Sequence, residues 1–167
     1  MNKMTEDNLR RAFAGEAQAR ETYREFGARA RQDGYDNVAR LFAATSYSEE
    51  VHASLLFQAL RGVGDTVDNL GEALAGEAFE VQQVYPAYSA VAKLQGEDEA
   101  SQALDWALEA EKVQVNLYQE AQSAVQAGRD TELLAVFVCP VCGYIAKDQP
   151  PEKCPLSGTP GREFRGF

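Results

Sequence analysis

Ala14-Gly15-Glu16-Ala17 returns word for word as Ala75-Gly76-Glu77-Ala78, 61 positions further along the chain. At nearly the same offset Glu49-Glu50-Val51-His52 meets Glu111-Lys112-Val113-Gln114, with Leu55 over Leu117 and Ala59 over Ala121. One repeated tetrapeptide in an Ala/Glu-rich chain is weak, but two repeats in register imply an internal duplication.

Apolar and small residues recur at helical spacing around each repeat. A first helix is predicted from about Thr5 to Arg31, stopped by Asp33-Gly34. A second, capped by Asp36 or Asn37, passes through Leu41, Phe42, Tyr47, Val51, Leu55, Leu56 and Leu60 and is closed by Gly62 and Gly64. The third is capped near Asp68 and runs through Leu74, Phe79, Val84 and Leu94 to Gly96, with a kink expected at Pro86. The fourth runs from about Glu97 to Gly128. Four helices joined pairwise by short connections make an all-α four-helix bundle. Gly15 and Gly76 lie inside helices, where glycine costs about 1 kcal/mol relative to alanine. Close packing or metal approach is expected at both.

Composition changes sharply after Val138, where Pro, Gly, Cys and aromatic residues take over, so the 167 residues divide into a helical domain, 1–135, and a small second domain, 136–167. A formal charge of −10 without Lys/Arg clusters argues against nucleic acid and suits cations. The polar start Met1-Asn2-Lys3-Met4-Thr5-Glu6-Asp7 and the lack of a long apolar run point away from membrane and export, towards the cytoplasm. No G-x-G-x-x-G fingerprint predicts a nucleotide site. The three cysteines leave one unpaired in any disulfide scheme and are closely spaced, which favours metal in a reducing compartment.

Glu49 and His52, three residues apart, leave one helix face and can reach one metal. A lone Glu-x-x-His is more often a half-buried histidine beside a surface carboxylate. The set is what points to metal: Glu16 from the first helix, Glu77 from the third, and a Glu-led pair from each of the others is the ligand plan of two-metal carboxylate bundles. Two ions about 3.5–4 Å apart are the usual content of such a centre. Near the C-terminus Cys139-Pro140-Val141-Cys142-Gly143-Tyr144 is a Cys-x-x-Cys knuckle, and Cys154-Pro155-Leu156-Ser157-Gly158 echoes it with one sulfur replaced. The first knuckle alone suits a redox dithiol or half a zinc site; the echo favours metal.

Gly76-Glu77-Ala78-Phe79-Glu80, followed by Val84-Tyr85-Pro86, resembles the third-helix signature of the rubrerythrin family, and the tail resembles that family's rubredoxin-like module. The resemblance implies a ferritin-like bundle fused to a rubredoxin-like domain, with two irons in the bundle and one iron, or zinc, in the tail. It makes Glu16, Glu49, Glu77, Glu80 and Glu111 the ligand glutamates, with Glu49 and Glu111 bridging, and His52 a ligand. His52 and Glu80 would exchange at one iron as its oxidation state changes. Tyr23 and Tyr85 would stand near the carboxylates, Cys139, Cys142 and Cys154 would ligate the third metal, and Tyr144, Phe164 and Phe167 would form the module's core. Two positions depart from the family pattern: Gln114 stands where a second ligand histidine is usual and Ser157 where a fourth cysteine is. The implied activity is reduction of hydrogen peroxide to water, with electrons from an external NAD(P)H-dependent reductase or rubredoxin entering at the tail, in a homodimer whose helices are open to exchange between chains. A ferritin-like iron-binding or iron-oxidising protein, and a redox-impaired variant, stay open as alternatives.

Overall fold

The computed structural model describes residues 1–133 and 135–167, and the chain divides into two compact units, Met1–Gly64 and Asp65–Phe167. The first is a hairpin of α1 (Lys3–Gln32) and α2 (Asp36–Ala59). Asn2 opens α1 by accepting from the Met4 N–H at 3.1 Å. Gly34, at φ 83°, turns the chain after it, a backbone state that glycine enters without a Cβ penalty. Small residues bring the helices together: Ala30 and Ala39 are buried, and a Cβ on Gly27 would lie 3.3 Å from Phe42 Cβ. Phe13 packs on Phe57 with ring centroids 5.2 Å apart, and the Ser46 hydroxyl donates to the Arg20 carbonyl at 2.9 Å. These pairings run in opposite senses along the two helices, an antiparallel register.

Both ends of α2 differ from expectation. Tyr35 is the N-cap of α2, and Asp36 falls within the first turn, where its charge faces the positive helix end. The Tyr35 N–H bonds the Ala30 carbonyl at 2.8 Å, so the loop is too tight for Asp36 to cap. At the other end α2 stops before Gly62 and Gly64. Arg61 takes the left-handed conformation at φ 56°, and Gly62 is needed for room, since a Cβ there would strike the Phe57 ring.

The second unit contains α3 (Thr66–Phe79), a π-helical turn (Glu80–Val84), α4 (Tyr85–Gln95) and α5 (Asp98–Gln126). Asp65, three residues before the expected cap, accepts from the Asp68 N–H at 2.9 Å. The kink expected at Pro86 is replaced by the π turn, in which the Tyr85 N–H reaches the Glu80 carbonyl. Widening just ahead of the proline absorbs the donor that Pro86 lacks. Gly96 (φ 72°) and Gly128 (φ 71°) end α4 and follow α5 as the sequence reading expected. Asp105 holds α4 against α5, accepting from the buried Ser89 hydroxyl at 2.5 Å and pairing with Lys93 at 2.8 Å.

The C-terminal residues form β1 (Val136–Val138), β2 (Ile145–Lys147) and β3 (Arg165–Gly166), an antiparallel sheet in the order β2-β1-β3. Its core is Cys139, Cys154 and Phe164, packed by Phe137, Tyr144 and Leu156. Phe167 is not part of that core: it is 68% exposed, with the Arg165 guanidinium 4.8 Å from its ring centroid. Lys147 bonds Glu120 of α5 at 2.5 Å, fastening the sheet to that helix. Among the described residues no helix is long and apolar enough to cross a membrane. The described residues are mainly helical, with a small three-stranded sheet towards the C-terminus.

Candidate metal centres

Three clusters bring their donor atoms within 4.8 Å of one another: Glu16/Glu49/His52, Glu77/Glu80/Glu111 and Cys139/Cys142/Cys154. In the first unit Glu16 comes from α1 and the other two from α2, one turn apart. His52 Nδ1 lies 3.0 Å from Glu49 Oε2, with the Glu49 side chain largely covered at 18% exposure and the imidazole half exposed. A hydrogen bond with Glu49, then burial, raises the Glu16 carboxyl above its ordinary value. Glu49 moves the other way, lowered by the hydrogen bonds from Glu16 and His52. The hydrogen bond between the two carboxyl groups thus shifts them in opposite directions, and a cation would draw the same oxygens together.

In the second unit the carboxylates come from α3, the first residue of the π turn and α5. Burial, and then the hydrogen bond and charge of Glu77 and the charge of Glu80, push the Glu111 carboxyl up to about 8. The carboxyl values thus rise at Glu16 and Glu111 and fall at Glu49, where hydrogen bonds to the charged form win. Gln114 stands one turn beyond Glu111 and donates from Nε2 to Glu111 Oε2 at 2.6 Å, as His52 lies against Glu49. With Nε2 engaged, its oxygen is the atom left to donate to a metal. Tyr85 faces the same carboxylates: burial first, then the charges of Glu80 and Glu111, hold its phenol above the ordinary value, and it hydrogen-bonds Glu80. Tyr23 contacts aromatic rings, Phe26 and Phe42, with centroids 6.5 and 6.2 Å away.

Gly15 and Gly76 flank the site glutamates, yet a Cβ at either would meet nothing within 4 Å. Close packing does not account for these glycines, and nothing in the structure explains them.

The cysteine cluster is built from two matching knuckles. Gly143 and Gly158, at φ 75° and 74°, let their N–H groups bond the carbonyls of Cys139 and Cys154, each at 3.0 Å. The Cys139 N–H bonds the Tyr144 carbonyl at 2.9 Å, and the Cys154 N–H bonds that of Thr159 at 2.7 Å. Cys142 Sγ lies 3.4 Å from Cys154 Sγ, and Cys139 Sγ lies 3.4 Å from Ser157 Oγ. A tetrahedral metal with bonds of roughly 2.3 Å needs donors roughly 3.8 Å apart, so these four atoms sit close to the corners of such a site. Burial opposes ionisation of Cys139, but the Ser157 hydroxyl and the N–H groups of Val141 and Cys142 outweigh it and bring the thiol down to about 6. Burial pushes Cys142 up to about 11. One residue escaped the sequence reading: buried Thr159, whose hydroxyl is 2.7 Å from Ser157 Oγ. The knuckle echo held the clue, because Thr159 follows Cys154 at the spacing by which Tyr144 follows Cys139.

Comparison with known proteins agrees with this geometry. The family model described as rubrerythrin matches residues 7–122, and the one described as rubrerythrin, rubredoxin-like domain matches residues 137–165. The chain is similar to rubrerythrin-2 of Clostridium acetobutylicum, with 37% identity over 99% of this chain and 98% of that one. Nigerythrin of Nitratidesulfovibrio vulgaris is 31% identical, over 98% and 86%. A solved structure of nigerythrin in its fully reduced, all-ferrous state superposes with a TM-score of 0.58 at 30% identity, covering 98% of this chain and 86% of that one.

Proposed function

The chain belongs to the rubrerythrin family, and from that premise we propose that it reduces hydrogen peroxide to water with electrons received through its cysteine module. Family membership brings the cofactors, two irons in the helical part and one in the rubredoxin-like module, and all three donor clusters fit them. When bound, ferrous iron supplies the two electrons that, with two protons, convert one peroxide into two waters. The observation that carries the reading is the presence in one chain of two carboxylate clusters of hard oxygen donors and a thiol cluster of soft ones.

In this proposal Glu16, Glu49 and His52 hold one metal, and Glu77, Glu80, Glu111 and the amide oxygen of Gln114 hold another. Loading drives the proton off Glu111, so uptake at that cluster is proton-coupled. Tyr85 keeps its proton at Oη beside Glu80, placed to bond an oxygen species arriving there. Residues 136–167 act as the electron-entry domain and residues 1–135 as the catalytic one, with Cys139, Cys142, Cys154 and Ser157 as the entry ligands. An NAD(P)H-dependent reductase or a rubredoxin is the external donor. A cytoplasmic setting belongs to this reading too, since three clustered cysteines serve as metal ligands in a reducing compartment. A homodimer is part of the same reading: Phe26, Leu41, Leu55, Phe79 and Leu94 are 50–87% exposed in the single chain, and light scattering that returned a monomer would remove it.

The test is peroxide consumption by iron-loaded protein, with NADH, a reductase and rubredoxin supplied. Turnover abolished by Cys139→Ala but kept when the bundle is reduced chemically supports both roles. Iron oxidation without catalytic peroxide loss would favour an iron-storage role instead.

A further inference from the structure

We propose that the two carboxylate sites discriminate between metals: when manganese is in moderate excess over ferrous iron, the Glu77/Glu80/Glu111/Gln114 site takes Mn2+, whereas the Glu16/Glu49/His52 site still takes Fe2+. This deepens the reading of the clusters as metal sites and rests on it.

The two sites differ in one kind of donor atom. In the first unit the residue one turn beyond the α2 glutamate is His52, whose Nδ1 lies against Glu49 and whose other ring nitrogen is open for a metal. In the second unit that place belongs to Gln114, whose Nε2 is spent on Glu111 at 2.6 Å. An amide with its nitrogen engaged offers only oxygen. The second cluster therefore has three partly buried carboxylates, one more than the first, and the residue beside it, also partly buried, can add only an amide oxygen.

Donor type sets the preference. Among divalent first-row metals Mn2+ binds most weakly to a given site, and imidazole suits iron and later metals, while carboxylate, carbonyl and water suit manganese. An imidazole thus widens the advantage of Fe2+ over Mn2+, and an all-oxygen set narrows it until metal supply decides. The extra carboxylate strengthens binding of either ion without restoring the discrimination. The thiol module does not confuse the measurement, because soft thiolates do not favour Mn2+.

The full chain, stripped with a chelator, would be incubated without oxygen in Mn2+ alone, Fe2+ alone, and Mn2+ in moderate excess over Fe2+. After gel filtration, metals per chain are measured by mass spectrometry and Mn2+ by electron paramagnetic resonance. The mixture is expected to leave about one Mn2+ per chain. Gln114→His should lower the retained manganese about tenfold or more, Gln114→Glu should keep it, and His52→Gln should raise it towards two. Circular dichroism checks that each variant is folded. Iron in both carboxylate sites of the mixed sample, or manganese unchanged in Gln114→His, would overturn the proposal and leave the peroxide reading intact. Failure of either metal alone to load beyond the thiol site would overturn both.

Discussion

The two carboxylate clusters begin from the same tetrapeptide and end in different chemistry. Glu16 and Glu77 occupy matching places on α1 and α3, and Glu49 and Glu111 matching places on α2 and α5. The first cluster closes on an imidazole, the second on an amide and an additional carboxylate, Glu80, at the start of the π turn. Burial follows the same split: a hydrogen bond is the main cause of the rise at Glu16, and loss of water the main cause at Glu111. Two copies of one hairpin can thus keep a ligand scaffold while diverging in the charge and hardness of what they hold.

The sharpest way to break this comparison is to remove the matched glutamates one at a time. Glu111→Ala is expected to empty the second cluster and Glu49→Ala the first, each lowering peroxide turnover by about 100-fold or more, beyond the range of losses typical of outer-shell partners. Metal analysis after each change checks it. Loss of both ions from either variant would mean that the clusters do not load separately.

Next in size is a pH effect confined to metal-free protein. The Glu111 carboxyl rises from an ordinary 4.5 to about 8 on folding. The folded state keeps a proton that the unfolded state gives up, so this contribution is fully present below about pH 4.5 and is lost as pH rises through 8. The Tm of the stripped protein should fall between pH 5 and 8, and Glu111→Gln should flatten the slope. A slope unchanged in the variant would remove Glu111 as its cause. A smaller change is expected from Gln114→His, a rise in iron affinity at the second cluster of roughly tenfold with a gain in turnover. Titration with Fe2+ checks the affinity, and equal affinity in both forms would make the amide oxygen as good a ligand as imidazole.

The smallest effect concerns the module. Ser157→Cys should leave its fold intact and raise the reduction potential of the iron, since hard oxygen favours the ferric state more than thiolate does. Thr159→Val, which removes the hydroxyl 2.7 Å from Ser157 Oγ, should shift the potential of the present protein and leave Ser157→Cys less affected. Spectroelectrochemical titration of both pairs measures this.

Much of the helical scaffold was legible because its signals are local. Gly34, Gly96 and Gly128 all adopt the left-handed state that helix stops require, and the i, i+3 spacing of Glu49 and His52 delivers one face. Boundaries shifted where a neighbour intervened. Tyr35 capped α2 because its N–H is tied to Ala30, and Arg61 took a conformation that its residue type does not advertise. The family resemblance placed Phe167 in the core, but its backbone pairs with Val136 at the sheet edge and sends the ring outward. The donor sets could be read residue by residue, whereas the direction of each carboxyl's shift depends on which neighbour donates a hydrogen bond, and that is a matter of three-dimensional placement.

The π turn carries a record of the duplication. Glu16 and Glu77 are 61 positions apart, but Gly34 and Gly96, Glu49 and Glu111, and Tyr23 and Tyr85 are all 62 apart. The second half therefore has one residue more than the first between its glutamate and tyrosine, Glu77 and Tyr85, the stretch that contains the π turn at Glu80–Val84. In an unbroken α-helix that extra residue would rotate everything after it by about 100° and carry Tyr85 away from Glu80. A turn that closes over five residues instead of four takes up the addition within itself. Ala19 precedes Tyr23 by four residues, Glu80 precedes Tyr85 by five, and the second phenol still meets the carboxylates. Deleting Gln82 should close the π turn and keep that phenol near the carboxylates, but leave Pro86 inside an unbroken α-helix, where its missing N–H brings back the kink that the turn now absorbs.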